Sequence, residues 1–112
     1  MSKSDKKRVR AAFRDAVFSR DNYCCKGCGE KGTAETLDAH HVTNRDLMPN
    51  GGYCVENGIT LCKKLGGCHE KAEASNWTTN IIPGFEPSTL YGIIGSTYEQ
   101  ALEASKKLKA EG

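Results

Sequence analysis

The sequence is poor in aromatic residues, at 7%, and has no apolar run longer than a few residues. The first shortage limits the core that 112 residues can build. The second excludes a membrane-spanning helix. No apolar stretch follows the charged start MSKSDKKRVR, so no export signal is expected and a cytoplasmic location is. The chain also lacks internal repeats and low-complexity tracts. With 38% hydrophobic and 27% charged residues and 12 glycines, it is expected to be globular rather than collagen-like or disordered. Its length suits a single domain spanning 1–112, because two separate cores would each be too small to stand alone.

Six cysteines are present. In a reducing compartment they read better as metal ligands than as a disulfide framework, and a structural metal would offset the modest core.

Net charge is only +2, but it is unevenly placed. Residues 1–20 hold seven Lys/Arg against Asp5 and Asp15, whereas residues 21–80 and 81–112 are each slightly acidic. A cationic end on a near-neutral body suits a polyanion such as DNA, although a solvated helix face accounts for the same charges.

The spacing predicts a helix over residues 5–20, with Val9, Ala12, Phe13, Ala16 and Val17 facing inward. Lys3, Lys7, Arg10 and Arg14 form a separate basic stripe free to meet phosphates, and Asp21-Asn22 supplies the stop. Residues 23–77 are the dense part. A short strand is expected over 36–42, then a loop carrying Pro49, Asn50, Gly51 and Gly52. A second strand follows over 59–62, and a helix from Cys68 to about Trp77. In 78–112, Pro83 and Pro87 break an irregular stretch. Ser96-Thr-Tyr-Glu99 has the form of a capping box opening a last helix from about 96. Tyr98, Ala101, Leu102, Ser105 and Leu108 line one side of it.

Cys25-x2-Cys28 and Cys62-x5-Cys68 can close a four-sulfur zinc site, a staple with no open position. The glycines of Cys25-Lys-Gly-Cys28-Gly29 allow the tight turn under the thiolates. The second pair is looser than the usual two-residue gap, so residues 65–67 must form an extra loop. Cys24 can replace Cys25 if the knuckle shifts register, but the flanking residues favour Cys25. Cys54 is spare.

All three histidines, His40, His41 and His69, lie around this frame. Neighbours in a strand face opposite sides, so His40 and His41 cannot serve one site in the same way. The adjacency implies a division of labour, one ring on a metal and the other on a different task. His69 directly follows Cys68, so the zinc staple fixes where that imidazole points.

The ordered set Leu37-Asp38-Ala39-His40-His41-Val42, Gly51-Gly52, Asn57-Gly58-Ile59-Thr60-Leu61-Cys62 and Cys68-His69-Glu70-Lys71 resembles the HNH endonuclease family. The preceding Arg20 to Gly29 segment is similar to the zinc knuckle of its cysteine-containing branch, common in phage and prophage proteins. The likeness covers about residues 13–73. It implies an α+β fold with a ββα-metal (His-Me finger) core, a four-cysteine zinc site and flanking N- and C-terminal helices. It further implies that His40 and His69 hold one divalent ion, that His41 is the general base, and that Asn57 tethers the long loop and keeps the base oriented. Glu73 stands where the family often has a third ligand or a basic residue. It is either a ligand, direct or through water, or an exposed helix charge.

The implied activity is hydrolysis of DNA phosphodiesters to 5′-phosphate and 3′-hydroxyl ends. Mg²⁺ or Mn²⁺ is expected to support turnover, with Ni²⁺ or Zn²⁺ able to occupy the site. One site per chain cuts one strand per encounter, and with no dimer seam evident a monomer that mainly nicks duplex DNA is expected. Lys7, Arg10 and Arg14 would contact phosphates without reading bases, giving low sequence specificity and salt-sensitive binding. Phage packaging or restriction machinery is a setting such a unit could serve. The main rival is a non-catalytic zinc-stapled module that binds DNA or protein. A rubredoxin-like electron carrier leaves the histidines unexplained.

Overall fold

The computed structural model describes residues 3–64, 67–77 and 84–108. It has an α+β architecture with four helices and one two-stranded antiparallel sheet among these residues. The order is α1 (Lys3–Arg20), β1 (Leu37–His41), β2 (Gly58–Cys62), α2 (Cys68–Trp77), α3 (Pro87–Ile93) and α4 (Tyr98–Lys106). Three short 3₁₀ turns, Arg45–Leu47, Pro49–Gly52 and Val55–Asn57, fill the connection between the strands. No described helix is long and apolar enough to cross a membrane.

The register pairs Leu37 with Cys62, His40 with Ile59 and His41 with Gly58. β2 is buried along its whole length, as its apolar run Ile59-Thr60-Leu61-Cys62 requires of a strand covered on both faces. α1 covers one face. The match is tight at Gly58, where an added Cβ would lie 2.4 Å from Val17 Cγ2 and 2.8 Å from the Phe13 ring. Gly58→Ala is therefore expected to lower stability by about 1–3 kcal/mol through overpacking. The midpoint of denaturant unfolding reads this directly, and an unshifted midpoint would mean that α1 does not press on β2.

The inward face of α1 differs in part from the sequence expectation. Phe13, Val17 and Phe18 are buried, whereas Ala12 and Ala16 are exposed and Val9 is half-buried. Large side chains rather than small ones take the core positions, because they remove more apolar area from water. The helix ends as expected, with Asn22 in the left-handed region at φ 56°. Beyond it, the Arg20 guanidinium donates from Nε and Nη2 to the two carboxylate oxygens of Asp21, both at 2.8 Å. It also donates to the carbonyls of Val55 and Gly58 at 2.7 Å. Asp21 in turn accepts the Thr60 N–H at 3.0 Å. Arg20 thus belongs to the frame rather than to the free basic stripe.

Residues 84–108 are more ordered than the two prolines suggest. Pro87 opens α3 instead of breaking it, since the first helical turn needs no N–H from that residue. Residues 78–83 lie outside the described residues. α4 is capped by Thr97, whose side chain accepts the Gln100 N–H at 3.0 Å, one residue later than the Ser96 box predicted. α4 packs on the inter-strand connection: Ser105 Oγ accepts the Gly52 N–H at 3.0 Å and donates to the Pro49 carbonyl. Asn50 Nδ2 donates to the carbonyls of Ser105 and Leu108. Asn50, Gly51 and Gly52 all have positive φ, which the Asn-Gly-Gly sequence accommodates.

Candidate metal centres

Among the described residues, two groups of side chains could each hold a metal ion. In the first, the sulfurs of Cys25, Cys28, Cys62 and Cys68 lie within 4.8 Å of one another. The knuckle bends at Gly29 (φ 82°), whose N–H reaches the Cys25 carbonyl at 2.7 Å. Gly27 passes so close beneath the site that a Cβ there would stand 2.6 Å from Cys68 Sγ. Backbone N–H groups point at the sulfurs: Cys62 N–H to Cys25 Sγ at 3.3 Å, and Cys68 N–H to Cys62 Sγ at 3.5 Å. Burial opposes ionisation of Cys25, but donors from Cys28, Cys62, Gly27 and Cys68 win and lower its pKa to about 7. Burial and the neighbouring Cys25 and Cys62 push Cys68 the other way. Four crowded sulfurs of this kind are suited to a cation that takes them all as thiolates.

The structure resolves the register of the knuckle in favour of Cys25. Cys24 turns aside and donates to the Asn22 carbonyl at 3.4 Å. Cys54 is also outside the cluster. It is buried against α4, donates to the Ala101 carbonyl, and has a pKa raised to about 11, mainly by burial. Of the expected loop over 65–67, residues 65 and 66 lie outside the described residues. Gly67 N–H bonds the Lys64 carbonyl at 2.8 Å.

The second group is His40, His69 and Glu73, whose donor atoms again lie within 4.8 Å of one another. Strand alternation places Asp38 and His40 on the face of β1 that meets α2, where His69 and Glu73 share one side at i, i+4. His69 Nε2 stands 3.0 Å from Asp38 Oδ2 and 3.3 Å from Glu73 Oε1, and His40 Nδ1 is 3.6 Å from Glu73 Oε1. The His40 ring is 3% exposed, and burial, then the nearby His69 and His41, lower its pKa to about 3. Two imidazoles beside a carboxylate form a donor set that fits a divalent cation. These residues line an open cleft of about 420 Å³ together with His41, Asn44, Arg45 and Asp46.

His41 points the other way, toward α1. Its ring stacks on Phe13 with centroids 4.6 Å apart and meets Tyr53 edge-on at 4.7 Å. Its Nε2 is buried with no hydrogen-bond partner among the described residues. Burial, reinforced by Arg45, lowers the His41 pKa to about 4. His41 also borders a second cleft of about 250 Å³, formed with Arg10, Arg14, Asp38, Arg45 and Tyr53. Lys7 is exposed on α1 and does not line this cleft. Arg45 Nη1 donates to the Tyr53 hydroxyl at 3.1 Å. The hydroxyl's pKa is lowered although burial opposes this, because hydrogen bonds and charge from Arg45 and Arg10 prevail.

Asn57 is wholly buried, lines neither cleft, and bonds chiefly to backbone. Its Nδ2 donates to the carbonyls of Thr43 (3.0 Å) and Gly52 (3.2 Å), and its Oδ1 accepts the Thr43 N–H (2.9 Å). Its own carbonyl accepts the Val42 N–H at 2.8 Å. It is a tether for the two residues after His41.

Three residues of this region were not singled out from sequence: Asp38, Arg45 and Tyr53. Asp38 carried a signal, since it sits two positions before His40 on the same strand face. Arg45 and Tyr53 carried none, because an irregular connection gives no period from which to infer where side chains converge. Compared with protein-family models, curated proteins and solved structures, the chain finds a match in none of the three.

Proposed function

We propose that the chain is a metal-dependent DNA endonuclease of the HNH kind, with β1, β2 and α2 as its ββα-metal core and zinc in the four-thiol site. The observation that carries this reading is the convergence of His40, His69 and Glu73 in an open cleft that His41 also borders. A divalent ion held by those three residues would supply charge neutralisation for the scissile phosphate and the departing 3′ oxygen.

The remaining chemistry falls to the chain's own side chains. His41, on the wall between the two clefts, takes the proton from the attacking water. The water oxygen bonds to phosphorus, the bond from phosphorus to the 3′ oxygen breaks, and that oxygen leaves protonated from solvent. The products are 5′-phosphate and 3′-hydroxyl ends. Arg10, Arg14 and Arg45 bind phosphates of the strand, positioning it without reading bases. Tyr53 holds Arg45 and covers one edge of the His41 ring. Asn57 keeps the end of β1 in place. One such site, acting as a monomer, nicks one strand per encounter.

The test is cleavage of supercoiled plasmid across Mg²⁺, Mn²⁺, Ni²⁺ and Zn²⁺, with a chelator control. Nicked circles are expected to accumulate before linear DNA with Mg²⁺ or Mn²⁺, and chelator should stop the reaction. Linear product without a nicked intermediate would overturn the monomeric nicking form. Retained DNA at every stage, with binding but no cut under any metal, would instead favour a zinc-stapled binding module.

A further inference from the structure

We propose that Tyr91, carried by α3 outside the sheet-and-helix core, is a positioning residue for His41, a role that rests on the nuclease reading above. The Asn57 amide is 0% exposed, so its two donors and two acceptor lone pairs must all find partners inside the protein. Three are met by Thr43 and Gly52, as described. The fourth partner is Tyr91, whose hydroxyl donates to Asn57 Oδ1 at 2.7 Å. That phenol has one proton. With the proton given to Asn57, the Thr43 hydroxyl, 2.5 Å away, must be the donor to the Tyr91 oxygen. Thr43, Asn57 and Tyr91 therefore close a ring of hydrogen bonds in which the Tyr91 oxygen accepts from Thr43 and donates to Asn57.

This ring matters for His41 because the imidazole has little else to fix it. Its Nε2 makes no hydrogen bond among the described residues, and its contacts with Phe13 and Tyr53 are ring contacts that allow sliding. Its position follows from the backbone that carries it. Asn57 grips the N–H of Val42 and both backbone groups of Thr43, the next two residues of the chain. The direction of the Asn57 amide is in turn set from the far side by Tyr91. Without the hydroxyl, Asn57 Oδ1 keeps a single donor and the Thr43 hydroxyl loses a buried acceptor, so the grip loosens at the end of β1. α3 delivers this hydroxyl rigidly: Tyr91 is 3% exposed, neighbouring Leu90 is 1% exposed, and the Tyr91 carbonyl accepts the Ser96 N–H at 2.9 Å. The segment after the core thus completes the site without touching the cleft.

The experiment is steady-state nicking kinetics of the full chain with Tyr91→Phe, which removes only the hydroxyl, beside Leu90→Ala as a control on the same helix. Tyr91→Phe is expected to lower kcat roughly tenfold with KM for plasmid within about twofold, the pattern of a displaced catalytic group. Leu90→Ala is expected to lower the melting temperature more, yet to hold kcat within about twofold at temperatures where it is folded. A wild-type kcat for Tyr91→Phe overturns the positioning role and leaves the nuclease reading standing. An equal kcat loss in Leu90→Ala does the same, since the effect would then be one of stability. Absence of nicking by the wild-type chain overturns the nuclease reading, and this inference with it.

Discussion

His41→Ala is expected to reduce plasmid nicking by about 10²–10⁴-fold while leaving DNA affinity and bound metal unchanged. His41 lines both clefts but belongs to neither metal group, so its removal takes away a proton acceptor and no ligand. Because the imidazole fills space between Phe13 and Tyr53, the alanine variant also leaves a cavity. His41→Gln fills most of that space and separates the two effects: it should be as inactive as alanine but closer to wild type in stability. Cleavage by either variant within about tenfold of wild type would remove His41 from the chemistry. Loss of DNA binding in both would point to a binding surface rather than a reacting group.

Stripping the metal from the four-thiol site is expected to cost the protein its fold. Zinc sites of this kind contribute about 10–16 kcal/mol of apparent binding energy in small peptides, as much as or more than the roughly 5–15 kcal/mol that holds a typical domain together. A metal on the four sulfurs would join the knuckle after α1 to the end of β2 and the first turn of α2, closing the chain around β1. A strong chelator should abolish the cooperative thermal transition seen by circular dichroism, and added Zn²⁺ should restore it. Cys62→Ala should mimic the chelator, whereas Cys24→Ser should retain one equivalent of metal, since Cys24 faces the Asn22 carbonyl instead. An apo-protein that melts like the metal-loaded form would refute the structural role.

Much of the core was legible in the sequence because its signals are short-range. Ile59 to Cys62 is an uninterrupted apolar run, and Cys68 to Trp77 lies just after a glycine pair, so β2 and α2 emerge almost at their true limits. Both cysteine pairs follow from ligand spacing, whereas the His40–His69 pairing came from the resemblance to the HNH family. What was not legible needed distant residues to meet. Phe18 falls off the stripe suggested by Phe13 and Val17, and only the packing of α1 on β2 shows it to be core. α3 was hidden by the reputation of proline as a breaker, although its fixed φ suits a first helical turn. The tie between Tyr91 and Asn57 spans 34 residues of sequence and has no local pattern at all.

The neighbouring histidines carry one more consequence, and it concerns parity. A strand assigns odd and even positions to opposite sides, so the ligand-bearing side and the side toward α1 differ by a single step along β1. Inserting or deleting one residue between Leu37 and His40 would exchange the two roles and leave both sides wrongly furnished, while a shift of two would preserve the assignment. The length of this five-residue strand is thereby constrained far more severely than the length of the connection that follows it.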